Sequence, residues 1–192
     1  TLDDYSPLAN KKLSEIHAMQ ANFMLRPIAI LRGHQTLIPR SETVFHRNDH
    51  IYFITQKENI DDVINLVGKK KVTVKNVMIL GGSWLARDTA RILEKDYHVT
   101  LIERNKERCK VLAEQLDDTL IIHGDTSNFD MLEEEGLSNM DAFIALSGNS
   151  ETNIIASLTA KNHGVYKTIA QVENREYIHI SQNIGVDTLI NK

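Results

Sequence analysis

The residues with the most chemical content stand together near the middle of the chain. Gly81-Gly82-Ser83-Trp84-Leu85-Ala86 lies on the pattern G-x-G-x-x-G/A. In that pattern glycines allow a tight turn and let backbone amides approach a pyrophosphate at a helix N-terminus. Gly81 is its first glycine and Ala86 an accepted last residue, while Ser83 occupies the place of the second glycine. A serine there either crowds the phosphates or hydrogen-bonds them, and Gly82 beside it can soften the turn. Trp84 can stack on a ligand or pack at the helix start, and Leu85 completes the loop. Glu103 follows about 20 residues on, where a carboxylate accepts from both ribose hydroxyls and repels the extra phosphate of NADP. Arg104, directly after it, weakens that exclusion.

Two more polar clusters follow apolar runs: His123-Gly124-Asp125-Thr126-Ser127 and Ser147-Gly148-Asn149-Ser150. Asp125 can accept from an adenine amino group, with Thr126 beside it. The Ser147 hydroxyl and the backbone around Gly148 can line a cleft near the phosphates or the second ribose. The plainer alternative is that Asp125, Thr126 and Ser127 cap the next helix, and Ser150 the one after.

These residues need a frame that delivers them to one edge. Apolar runs 75–80, 98–102, 119–122, 142–146, 168–172 and 188–190 read as strands. Segments with helical spacing separate them: 84–94, 105–115, 129–135, 151–162 and 175–182. Strands buried on both faces and alternating with helices give a parallel, doubly wound α/β sheet, in which ligands bind beyond the carboxyl ends of the strands. The segment before it reads differently. A helix over 8–17 is expected after Pro7, then strands 27–32, 36–38 and 51–54 with Gly33-His34 as a turn, then a helix over 60–67. That pattern predicts a small antiparallel sheet flanked by helices. The polar run Gly68-Lys69-Lys70-Lys71 reads as the connector.

Composition narrows the function. Apolar residues at 42% and charged residues at 25% of 192 exclude disorder. The net charge is -4, and the two halves differ in sign: 11 Lys/Arg face 8 Asp/Glu over 1–75, and 11 face 18 over 76–192. No nucleic-acid footprint is expected from that balance. The single cysteine, Cys109, excludes an internal disulfide and a cysteine-rich zinc site and fits a reducing compartment. No apolar run approaches the roughly 20 residues of a bilayer span. Asp3 and Asp4 stand where a signal peptide would be basic, and a start at Thr-Leu-Asp-Asp suggests a segment of something longer. The eight histidines show no metal or catalytic spacing. His123 reads as cap or cleft lining, His34, His46 and His50 as solvated turns, and Cys109 as a helix residue facing inward.

With those motifs set out, the chain resembles a known family. Ser6-Pro7-Leu8-Ala9-Asn10-Lys11-Lys12-Leu13, Ile28 to Gly33 and Asn48 to Ile54 resemble the C-terminal lobe of regulator-of-potassium-conductance modules. Gly124 to Ser127 and Ser147 to Asn153 resemble the strand-end signatures of the N-terminal, Rossmann-like lobe. Residues 1–68 would then be a C-lobe and 75–192 an N-lobe. A C-lobe before an N-lobe is the middle of a tandem fusion, as in the regulatory subunits of bacterial Trk potassium uptake systems. The resemblance implies a cytoplasmic protein on the inner face of the plasma membrane, a dimer or tetramer when whole. It implies binding of NAD(H) or ATP/ADP, no catalytic turnover and no metal, and gating of a membrane-embedded potassium transporter. By correspondence Gly81, Ala86, Glu103, Asp125 and Ser147 would contact the nucleotide. Two other readings stand beside it: an NAD-dependent oxidoreductase lacking its substrate domain, and a ligand-free assembly module.

Overall fold

Before the basic connector, short apolar stretches separated by tight turns build an antiparallel sheet. Helix α1 (Leu13–Met19) precedes β1 (Leu25–Arg32), β2 (Gln35–Leu37) and β3 (His50–Thr55), and α2 (Ile60–Leu66) closes the unit. The strand order is β2-β1-β3, with β1 central. In this computed structural model residues 2, 5–19, 24–33, 35–69, 72–174, 177 and 184–191 are described. The chain divides into two compact units, Thr1–Val72 and Thr73–Lys192.

Leu2, Leu8, Leu13, Ile16, Ile30 and Phe45 form the core of the first unit. One charged pair lies within it. Asp49 is fully buried and accepts Arg32 Nε and Nη2 on its two oxygens, each at 2.8 Å, and the His46 amide at 2.8 Å. Burial by itself would raise the Asp49 pKa. The Arg32 hydrogen bonds, the His46 amide and the guanidinium charge outweigh it and hold the carboxyl below its ordinary value. The helix expected from Leu8 begins only at Leu13. Residues 7–10 are turns instead, because Asn10 has φ 62° and donates its amide to Phe45 O at 2.7 Å, and Lys12 bridges to Val44. Pairing with the 43–45 segment wins over helix continuation.

In the second unit, β4 (Asn76–Leu80), α3 (Trp84–Leu93), β5 (His98–Glu103), α4 (Lys106–Gln115), β6 (Leu120–His123), α5 (Phe129–Glu134), β7 (Ala142–Ala145), α6 (Ser150–Asn162), β8 (Lys167–Val172) and β9 (Thr188–Asn191) alternate as expected. The helix expected over 175–182 falls almost wholly outside the described residues. All five strand pairings are parallel, in the order β6-β5-β4-β7-β8-β9. This is a Rossmann-like sheet, with its switch point between β4 and β7. Alternation along β4 divides the core. Val77 and Ile79 pack on Ala86, Ala90, Leu101 and Leu112; Met78 and Leu80 pack on Ile102, Leu132, Phe143 and Ala156.

Each helix that leaves a strand end here starts on a side-chain cap. Ser83 accepts Ala86 N, Asn105 accepts Arg108 N, Asn128 accepts Met131 N and Asn149 accepts Thr152 N. The caps expected at Asp125 to Ser127 and at Ser150 therefore fall on Asn128 and Asn149. Asp125 closes its own turn onto Ser127, and Ser150 Oγ accepts the Glu173 amide at 3.0 Å.

Asp49→Ala should destabilise the first unit by about 1.5–3 kcal/mol, the scale for hydrogen bonds to a charged group. Because the folded-state pKa is lowered, the unfolded chain binds more protons in acid. The contribution is therefore complete above the ordinary value of 3.8 and lost as pH falls through the folded-state pKa. Urea melts of wild type and Asp49→Asn between pH 3 and 7 check both statements, with the acid-sensitive component absent in the variant.

Candidate functional site

The strand ends converge because register brings them level. Leu80 pairs with Ile102 on one side and Ala145 on the other, so Gly81 emerges beside Glu103 and Ser147. Gly81 turns at φ +94° and donates its amide to Ile102 O at 2.8 Å. A Cβ there would stand 2.7 Å from Ser147 Cα and 2.8 Å from its nitrogen, so only glycine fits. At Gly82 a Cβ would meet Glu103 Oε2 and Leu112 Cδ1, each at 2.8 Å.

Glu103 is 8% exposed and uses both oxygens on backbone amides. Oε2 accepts Gly82 N at 2.6 Å, and Oε1 accepts Asn105 N at 2.7 Å. Arg108 Nε donates to Gly82 O across a short contact, so Gly82 is held through both its amide and its carbonyl. Ser83 has a use that the sequence pattern did not suggest. Its Oγ accepts Ala86 N at 3.1 Å and caps α3. Trp84 and Leu85 amides, the other first-turn donors, have no intrahelical acceptor and mark the positive end of the helix dipole.

On the far side of the turn, buried Asn153 fixes Ser147. Asn153 Oδ1 accepts Ser147 N at 3.0 Å and Ser147 Oγ at 2.6 Å, and Nδ2 donates to Ser147 O at 3.0 Å and Gln171 O at 2.9 Å. Exposed Asp125 accepts Ser127 N and Oγ, at 2.9 and 2.7 Å. Those bonds lower its pKa, aided by the charge of Arg104, so it is an anion at neutral pH.

These elements enclose a cleft of about 550 Å³. Gly81, Gly82, Ser83, Glu103, Arg104, Asp125, Thr126, Ser147 and Gly148, all proposed from sequence, line it. Trp84 and Leu85 line a neighbouring cavity of about 310 Å³ that shares Ser83, Leu146, Ser147 and Gly148 with the first. Ala86 lines neither; it is fully buried and lets α3 pack closely on the sheet. Sequence reasoning missed Asn105, Arg108, Asn149 and Thr152 in the cleft and Asn153 behind it. Arg108 had a readable signal, since the third position of a helix leaving the acidic strand end faces back over the turn. Asn153 closed the segment that carried the resemblance, but its role depends on two strand ends distant in sequence.

Other candidates resolve simply. The exposed His123 ring pairs with Arg104 O at 3.1 Å. Buried Cys109 has its pKa raised, first by desolvation and then by the Glu103 charge, so it is no reactive thiolate. Among the described residues no group of His, Cys, Asp and Glu is placed to hold a metal.

Comparison with known proteins follows the same division. The TrkA-N domain family model matches residues 77–192, and the TrkA-C domain model matches 1–68. The chain belongs to the TrkA-N family. Its TrkA-C domain precedes its TrkA-N domain. It is 32% identical to the Trk system potassium uptake protein TrkA of Halomonas elongata over 184 residues, 96% of this chain and 40% of that one. Against the protein of the same name from Vibrio alginolyticus it is 30% identical, with the same two coverages. The chain thus spans about 40% of the length of these curated relatives. Among solved structures, the GsuK channel bound to NAD shares the fold at a TM-score of 0.61 and 19% identity, over 97% of this chain and 33% of that one.

Gly81→Ala and Gly82→Ala should separate by cause in this TrkA-N domain. The first meets backbone and a positive φ together, and should cost more than the roughly 1–3 kcal/mol typical of an overpacked site. The second meets the ends of side chains and should fall within that range. Ser83→Ala should cost about 0.5–2 kcal/mol through its cap, whereas Ser83→Gly should cost only a few tenths. Denaturant melts of the four variants give the order.

Proposed function

We propose that the TrkA-N domain binds an adenine nucleotide, NAD(H) or ATP/ADP, across the Gly81–Ser83 turn. The observation that carries this is the convergence of three features on one cleft. These are the Ser83 cap at the positive N-terminal end of α3, a glycine turn closed against Ser147, and the Glu103 carboxylate at the end of β5. Phosphates fit the first feature, and ribose hydroxyls fit the third. Both Glu103 oxygens already accept one amide each, and a carboxylate has lone pairs for further donors. Arg104 and Arg108 supply positive charge at the cleft wall, and Asp125 an acceptor for an exocyclic amine.

We further infer that the chain is part of a regulatory protein that gates a membrane-embedded potassium transporter without turning the nucleotide over. The names of its relatives and the NAD-bound channel of the same fold support this reading. Such a protein works on the cytoplasmic face of the membrane as a homo-oligomer. No helix among the described residues is long and apolar enough to cross a membrane. Gating requires that the nucleotide bind one arrangement of the assembly more tightly than another, since equal affinity shifts nothing.

In a thermal-shift assay, NADH, NAD, ADP or ATP should raise the melting temperature of the TrkA-N domain. A ligand at 100 times its Kd adds about 2.7 kcal/mol to stability. Glu103→Ala should weaken binding by about 1–3 kcal/mol in calorimetry. No shift with any of the four at millimolar concentration supports the ligand-free assembly module instead, and equal affinity in the variant places the ribose elsewhere.

A further inference from the structure

In the first unit, helix α2 is seated incompletely on its sheet. None of its residues is buried, although Ile60, Val63, Ile64 and Leu66 are apolar. Leu66 and the following Val67 pack against the core, whereas Val63 and Ile64 stay half-buried in the wall of a cavity. Leu2, Ile51, Phe53 and Val67 supply the rest of its apolar wall. The cavity measures about 180 Å³, and an apolar space of about 150 Å³ is enough to hold a benzene-sized molecule. Its remaining wall residue is a cation, Lys69. Gly68 turns at φ +81°, and α2 ends on paired bonds, Gly68 N to Asn65 O at 2.9 Å and Lys69 N to Ile64 O at 3.0 Å. Helix ends of this kind frequently place an apolar side chain at the position that Lys69 holds. The Lys69 charge is felt at His50, next to Ile51. Desolvation first, and then nearby positive charge that includes Lys69, lower the His50 pKa against the opposing charge of Asp49.

We propose that this cavity binds a small monocarboxylate whose apolar body is about the size of a benzene ring, with the carboxylate on Lys69. The half-buried side chains of α2 and β3 match the body, and the lysine matches the charge. Water does not suit such a wall, because a buried water needs several polar partners. The Asp49 carboxylate is held by Arg32 and the His46 amide, so the rim beside Lys69 stays positive. A helix as short as α2 is marginal by itself. A guest that joins Val63 and Ile64 to Ile51 and Phe53 therefore strengthens its docking on the sheet. The site lies wholly within the first unit and does not depend on the nucleotide reading of the second.

The test titrates the full isotope-labelled chain with three probes, followed by nuclear magnetic resonance. They are benzoate; benzyl alcohol, which keeps the ring without the charge; and acetate, which keeps the charge without the ring. Benzoate should give saturable shifts in the side-chain resonances of Ile51, Phe53, Val63, Ile64 and Val67, with the Gly81 and Gly82 amides unmoved. Benzyl alcohol should bind about 2- to 5-fold more weakly, the range of an ion pair open to water. Acetate should give no saturable shift at these positions. A carboxylate beside Lys69 offsets its charge, so the His50 pKa should rise when benzoate binds and stay in place with benzyl alcohol. Lys69→Met keeps an apolar stem and should bring benzoate down to the affinity of benzyl alcohol. Val63→Phe fills the space from α2 and should abolish binding of both. If that substitution perturbs folding, Lys69→Met, at the half-exposed rim, remains an independent arm. No saturable shift with benzoate, equal affinity for benzoate and benzyl alcohol in wild type, a preference unchanged in Lys69→Met, or acetate binding as tightly as benzoate overturns the proposal.

Discussion

The site depends on a buried carboxylate that cannot stand alone. Removing the Glu103 charge from water is costly unless hydrogen bonds replace hydration, and two backbone amides do so. One belongs to Gly82 in the turn after β4, the other to Asn105 at the start of α4. The same two bonds therefore tie the β4 turn, the β5 end and the α4 start into one unit. Glycine at 82 follows from this tie, because any side chain would strike the oxygen that receives its amide. Arg108 completes the arrangement by donating to the Gly82 carbonyl.

A second tie lies across the switch point. Asn153 spends its whole carboxamide on Ser147 and Gln171, joining the ends of β7 and β8. Gly81 packs against Ser147, so the two ties meet where the strand order reverses. Together the two ties hold the strand-end surface in place.

Much of this was legible in the sequence. The six apolar runs and the helical spacing between them gave the doubly wound sheet, because strands buried on both faces need no alternation to be recognised. Gly81 to Ser83 and Glu103 followed from the glycine fingerprint and its spacing, and Asp125 and Ser147 to Gly148 from the rule that ligands sit beyond the strand ends. What the sequence hid were choices between near-equivalent polar groups. Asn128 and Asn149 won the caps from Asp125 and Ser150, since the capping geometry depends on where the strand releases the chain. Ser83 looked like a defect in a glycine pattern, yet it takes a cap that glycine cannot provide. The late start of α1 was hidden for another reason: Asn10 and Lys12 bond to residues 44 and 45, a long-range contact that local propensity does not carry.

The most direct measurement is a titration of the isotope-labelled chain with an adenine nucleotide, followed by the backbone amide resonances in nuclear magnetic resonance. If a nucleotide sits on the glycine turn, the amides of Gly82, Ser83, Trp84, Leu85 and Ser147 should shift early and together, while those of β1 and β3 in the first unit stay in place. Saturating shifts confined to the first unit, with the turn unmoved, would contradict the account.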